Sequence, residues 1–211
     1  VEGDPDASEL IRRVTTESKA KRMPPVHTGH SITPQELSVL RSWIAAGAKA
    51  TNPDINILTA QIGPAGYGDA AGGKSTTETV IAAGADIIFG MGDGSSFGML
   101  QAVETATPPA GADKVWFIDV IGDKTSIDQQ GVLLSSVVWD FSGQYIQALA
   151  DLAAGTFGST GYTLDAANGG IGLLQTDKIS AEAWTAVEAA RAGIADGSIS
   201  VPLTATQAEV D

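Results

Sequence analysis

The sequence contains no cysteine. That absence excludes disulfides, thiolate metal sites, cysteine nucleophiles and thioether attachment of haem, and it leaves the redox compartment open. Histidine is nearly missing as well: His27 and His30 are the only two, both in an early polar stretch. His27-x-x-His30 has no apparent third ligand nearby, so no metal site is expected. Basic residues are scarce, 12 against 25 acidic, for a net charge of -13. So acidic a chain lacks the basic face that nucleic acid requires, and it is poorly suited to docking on anionic membranes. No apolar run approaches the roughly 20 residues that span a bilayer, so direct membrane insertion is not expected. Gly-x-Ser-x-Gly, a Ser-His-Asp set and a paired-acid signature are all missing, and the chain reads as a non-enzyme without a cofactor. It opens on Val1 without a signal-peptide pattern, as a mature chain, a fragment or a fusion would.

What is present suits a packed domain. Apolar residues make up 43% of the 211 and charged residues 18%, ample for a core and unlike a disordered chain. Such a length holds one domain, or one plus a small appendage. Charge is unevenly spread: residues 1–50 carry seven basic and six acidic side chains, residues 51–211 five and nineteen. The asymmetry points to two units, 1–50 and 51–211.

The first unit reads as two short helices around a polar loop. Leu10, Ile11 and Val14 share one face of the first. In the second, Thr33, Pro34 and Glu36 form a capping start, and Leu37, Leu40, Trp43 and Ile44 form an apolar stripe with Gly47 as its stop. From residue 55 the pattern changes. Strands are expected at 55–62, 86–89, 115–118 and 132–138, with short ones at 162–164 and 171–174. Helices are expected at 74–83, 97–105, 142–154 and 181–195, the last capped by Ser180. Short apolar strands alternating with helices give an α/β fold, a parallel sheet flanked by helices on both faces.

In such sheets ligands sit beyond the carboxyl ends of the strands. The first informative loop runs Gly90-Met-Gly-Asp-Gly-Ser-Ser-Phe-Gly98. Its candidate contacts are Gly92, Asp93, Gly94 and Ser95, where glycine lets backbone approach a ligand and the next helix offers free N–H groups. Phe97 either stacks on an aromatic ligand or packs in the core. Asp119, after a buried strand, suits paired sugar hydroxyls or a loop cap. Trp139 walls a cleft or closes the core. Asn168, before Gly169-Gly170, makes a turn or faces the cleft. Gly68-Asp-Ala-Ala-Gly-Gly-Lys-Ser75 also fits the phosphate-loop pattern formally, but no magnesium-binding Asp on a partner strand is evident.

Six stretches carry a resemblance: residues 48–55, Gly84-Ala-Asp-Ile-Ile-Phe89 with its glycine-rich loop, Phe117-Ile-Asp-Val120, Gly131-Val-Leu-Leu-Ser-Ser-Val137, Asn168-Gly-Gly-Ile-Gly-Leu173 and Asp196-Gly-Ser-Ile-Ser-Val-Pro202. In order and spacing, residues 48–202 resemble the basic-membrane-protein family of ABC-transporter substrate-binding lipoproteins, the purine-nucleoside receptor type. That resemblance implies one lobe of a periplasmic-binding-protein type I fold, a nucleoside or related small-molecule ligand, an ABC permease as partner and an extracytoplasmic location. It puts the loop Gly92 to Phe97 against the base and Asp119 against the ribose, while Trp139 stands where the family often has lysine. Residues 1–50 resemble the C-terminal part of planctomycete-type cytochrome c domains through residues 3–13, Arg22-Met-Pro-Pro25, Ile32-Thr-Pro-Gln-Glu36 and Trp43-Ile-Ala-Ala-Gly47. There Met23 would be the axial haem ligand, but Cys-x-x-Cys-His is missing. The expected function is a partial solute receptor of an ABC importer. The alternative is an electron-transfer cytochrome fragment that has lost its haem-attachment half.

Overall fold

A computed structural model describes residues 47–62 and 66–201. The two helices expected within residues 6–46, Met23, and the pair His27 and His30 lie outside the described residues. Residues 47–51 are helical, so Gly47 sits within a helix rather than stopping one. The helix ends at Asn52, whose N–H still reaches Ala48 O at 2.9 Å, because Pro53 disfavours helical backbone in the residue before it.

Helix α1 spans Ala70–Ala82. It starts earlier than the apolar pattern indicates because Asp69 caps it, accepting the Gly72 N–H at 2.8 Å. The stretch 55–62 forms no strand, contrary to expectation. Its Gln61 carbonyl instead accepts from Thr76 Oγ1 of α1 at 3.4 Å, and Ile62 packs against the core. It lies beside a helix rather than a strand edge, so its backbone gains no ladder.

Strand β1 (Ile87–Phe89), helix α2 (Ser95–Thr105), β2 (Trp116–Ile121) and β3 (Leu133–Trp139) follow. After β3 come α3 (Ser142–Ala154), β4 (Ile171–Leu173) and α4 (Ala181–Asp196), the last capped as expected by Ser180 Oγ, which accepts from Ala183 N–H at 3.1 Å. The sheet order is β1-β2-β3-β4. The first three strands are parallel, as the alternating pattern implies, with Ile88 opposite Phe117 and Asp119 opposite Ser136. The fourth runs antiparallel, Trp139 opposite Ile171, so the sheet is mixed. The cause is local: Asp140 N–H donates to Gly170 O at 2.9 Å, so the chain re-enters the sheet at the end where β3 left it. Residues 162–164 form no strand. Side chains hold that stretch: Tyr162 Oη donates to Asp151 Oδ2 at 2.7 Å, and Gln144 and Asn168 both donate to Thr163 O.

The core lies between the sheet and the α1–α2 pair. Ile88, Phe117 and Leu133 meet Ile81, Met99, Leu100 and Val103 there, and Phe117 is fully buried. The two helices cross where side chains are missing. A Cβ on Gly98 would lie inside van der Waals contact of Ala70 O, and one on Gly73 would collide with Ser95 O. Among the described residues helices cover this one face, not both. Ile87 and Phe89 alternate with Ile88 and remain exposed. Neither α3 nor α4 makes more than marginal contact with the strands.

Candidate functional site

The sheet gathers most of the sequence candidates at one edge. Strands β1, β2 and β3 end there at Phe89, Ile121 and Trp139, and β4 begins there at Ile171. Into this edge project the loop 90–94 with the start of α2, the loop after β2, Trp139, and the turn 165–170.

The glycines of the first loop have packing causes. A side chain on Gly90 would strike the Phe117 ring and the Met99 sulfur, and one on Gly92 would strike Ser95 Oγ. Gly94 lies over the 3-10 turn Gly66–Gly68, where a Cβ would be 3.3 Å from Gly68 Cα. The loop is therefore tight against its own chain. It exposes Asp93 and leaves Phe97 55% exposed at the first turn of α2. Of the two sequence readings of Phe97, packing in the core is excluded. Gly94 gives α2 no side-chain cap. Ser95 Oγ, fully buried beneath Gly92, has no hydrogen-bond partner. A buried hydroxyl left unpaired costs roughly 1–3 kcal/mol.

Asp119 lies under this loop and is fully buried. Its Oδ1 accepts from Ser96 Oγ at 2.6 Å. The Lys124 ammonium lies against Oδ2, although not along a hydrogen-bonding direction. Lys124, its side chain 13% exposed, also donates to Val120 O at 3.3 Å. Asp119 thus anchors a charged floor and reaches solvent nowhere in this state. Sequence reasoning singled out Asp119 but missed Ser96 and Lys124. The signal available was a lysine five residues on, in the loop that follows β2. Next to this floor Ile121 has φ of 79°, a left-handed conformation that costs a β-branched residue of order 1–3 kcal/mol. Such strain marks the carboxyl end of the central parallel strand.

Two exposed acids at the edge are held in the charged form. Backbone and side-chain hydrogen bonds from Thr125 lower the Asp123 carboxyl below its ordinary value. Side-chain and backbone bonds from Ser142 do the same for Asp140. Trp139 is 44% exposed and meets Phe141 edge-on at a centroid distance of 6.1 Å. Asn168 is exposed, but its amide is spent on its own turn. Oδ1 accepts from Asp165 and Gly170, and Nδ2 donates to Thr163 O at 2.7 Å. Its contribution is to hold the turn beside Trp139.

The phosphate-loop pattern has a different cause. Gly72 to Ser75 lie inside α1, Asp69 already occupies the donors at its start, and Lys74 faces Glu78 at 3.9 Å. A carboxylate at that position repels phosphate. Among the described residues no group of acids and histidines can hold a metal ion. No described helix is long and apolar enough to cross a membrane.

A family model described as ABC transporter substrate-binding protein PnrA-like matches residues 37–204. Among solved structures, a solute-binding protein of an ABC transporter system from Conexibacter woesei is 26% identical with a TM-score of 0.57, over 75% of this chain and 50% of that one. Two further structures are similar in fold alone. A solute-binding protein of an ABC transporter system from Aeropyrum pernix K1 is 17% identical, TM-score 0.62, over 94% of this chain and 65% of that one. A transcriptional activator of the comK gene from Bacillus halodurans is 16% identical, TM-score 0.54, over 64% and 45%. The chain spans half the length of the Conexibacter protein. No curated protein matches it. These matches lend the cytochrome alternative for residues 1–50 no support.

Proposed function

The chain belongs to the PnrA-like family of ABC transporter substrate-binding proteins, and from that membership we propose that it binds a small solute of the nucleoside class at the carboxyl edge of its sheet. It then presents one wall of a receptor cleft, works outside the cytoplasm and delivers solute to an ABC permease, with no chemical step of its own. The observation that carries this reading is the start of α2. There an uncapped helix N-terminus, the exposed ring of Phe97 and the unpaired hydroxyl of Ser95 stand together at the same sheet edge at which β3 ends in Trp139.

Each group has a role in that reading. Phe97 and Trp139 offer flat apolar faces to a base. Gly92 and Gly94 keep the loop thin, and Asp93 rims it. Ser95 gains its missing partner from the ligand or from the loop as it shifts. Asp119, expected against the ribose, meets a ribose hydroxyl only if Ser96 or Lys124 releases its carboxylate. Contacts from this one edge alone support only weak affinity, on the order of millimolar or about -4 kcal/mol.

Calorimetry with adenosine and inosine tests this. Weak binding is expected, with Phe97→Ala losing roughly 1–3 kcal/mol, as bases do when an aromatic platform is removed. Trp139→Ala should weaken binding in the same direction. Unchanged affinity in both variants would remove the edge from consideration as the site.

A further inference from the structure

Helix α3 is amphipathic, yet none of its residues is buried. Tyr145, Ile146, Leu149 and Leu152 fall on one stripe and are 67%, 69%, 66% and 63% exposed. The stripe continues to the sheet edge. The Tyr145 ring lies 6.1 Å from that of Phe141, and Phe141 lies 6.1 Å from Trp139. Phe141 is 40% and Trp139 44% exposed. One apolar surface therefore runs from the mouth of the candidate site along the helix. Side chains of these types leave on the order of 700 Å² there, close to what one partner contributes to a stable complex and more than isolated monomers commonly expose.

We propose that two copies of this chain pair through this face of α3. Three features favour a second copy as the occupant. A single helical stripe of Tyr, Ile and Leu is self-complementary, as a two-fold interface requires. The stripe carries no charge, and the one acidic side chain in α3, Asp151, is engaged by Gln147 and Tyr162. In a chain of net charge -13, copies repel each other wherever acids meet, so a neutral apolar face is where they approach at least cost. The area is that of a stable interface rather than of a passing encounter.

The pairing rests on the stripe alone. A consequence rests on the ligand-binding reading: the second copy comes up against Trp139 and supplies a further wall beside the site.

Sedimentation of the full chain without ligand, at about 100 µM, is the test, because self-association of moderate affinity is populated at that concentration. The expected result is twice the mass of one chain. Ile146→Glu with Leu149→Glu should return it to one chain, with unchanged circular dichroism because neither side chain supports the core. Ala189→Glu, on the exposed side of α4, should leave the dimer intact. If the double variant misfolds, Leu149→Ser with Leu152→Ser decides by the same readout. A wild-type monomer at that concentration overturns the proposal, and so does a dimer that survives these substitutions. Because no ligand is present, either failure leaves the binding reading to its own calorimetric test.

Discussion

Asp119 is the residue on which the edge depends. Charge buried to this degree persists only when it is compensated. Lys124 and Ser96 do that here, one by charge and one by a 2.6 Å hydrogen bond. Lys124→Met should therefore destabilise the protein by roughly 3–5 kcal/mol, because it strands a buried carboxylate. Restoring neutrality with Asp119→Asn in the same chain should recover much of that loss. Chemical denaturation of the single and double variants measures both, and additive effects would show that the pair is not coupled. The sequence exposes Asp119 as a candidate because it follows a run of apolar strand residues. It does not expose the partners. Ser96 lies 23 residues away, and only the packing of α2 across β2 brings the two together. Asn168 shows the opposite case. Its turn is legible from Asn-Gly-Gly, and the turn consumes the amide that a cleft role would need.

At the scale of elements, apolar runs bounded by glycine, proline or acids located β1, β2, β3, α3 and α4 within a few residues. The starts of α1 and α2 were less legible. Asp69 and the serines precede residues that look like loop because they are rich in glycine. Those glycines are there for the helix crossing, which is a tertiary demand that local propensity does not express. Gly98→Ala should accordingly cost about 1–3 kcal/mol by forcing α2 away from Ala70 O. Gly143→Ala, in a helix and with open space around it, should instead stabilise by about 0.4–1 kcal/mol. Thermal unfolding of the two variants separates a packing glycine from a dispensable one. The unpaired stretch 55–62 and the reversed β4 differ from expectation for a related reason: an apolar run suggests a strand, but pairing and direction depend on what lies beside it.

At the scale of the whole molecule, the described residues form an α/β sheet with helices on one face, which presents its loops at one edge, and among them one helix keeps an apolar face exposed. The family match begins at residue 37, and the helix at 47–51 runs across residue 50, where the charge contrast falls. The central claim is that the carboxyl edge of the sheet is where this chain meets its ligand. Backbone amide shifts followed by NMR during titration with adenosine test it most directly. The account predicts that the perturbed amides cluster at 92–97, 119–124, 139–141 and 168–170. A cluster instead at the opposite edge, around 82–86 and 106–115, would contradict it.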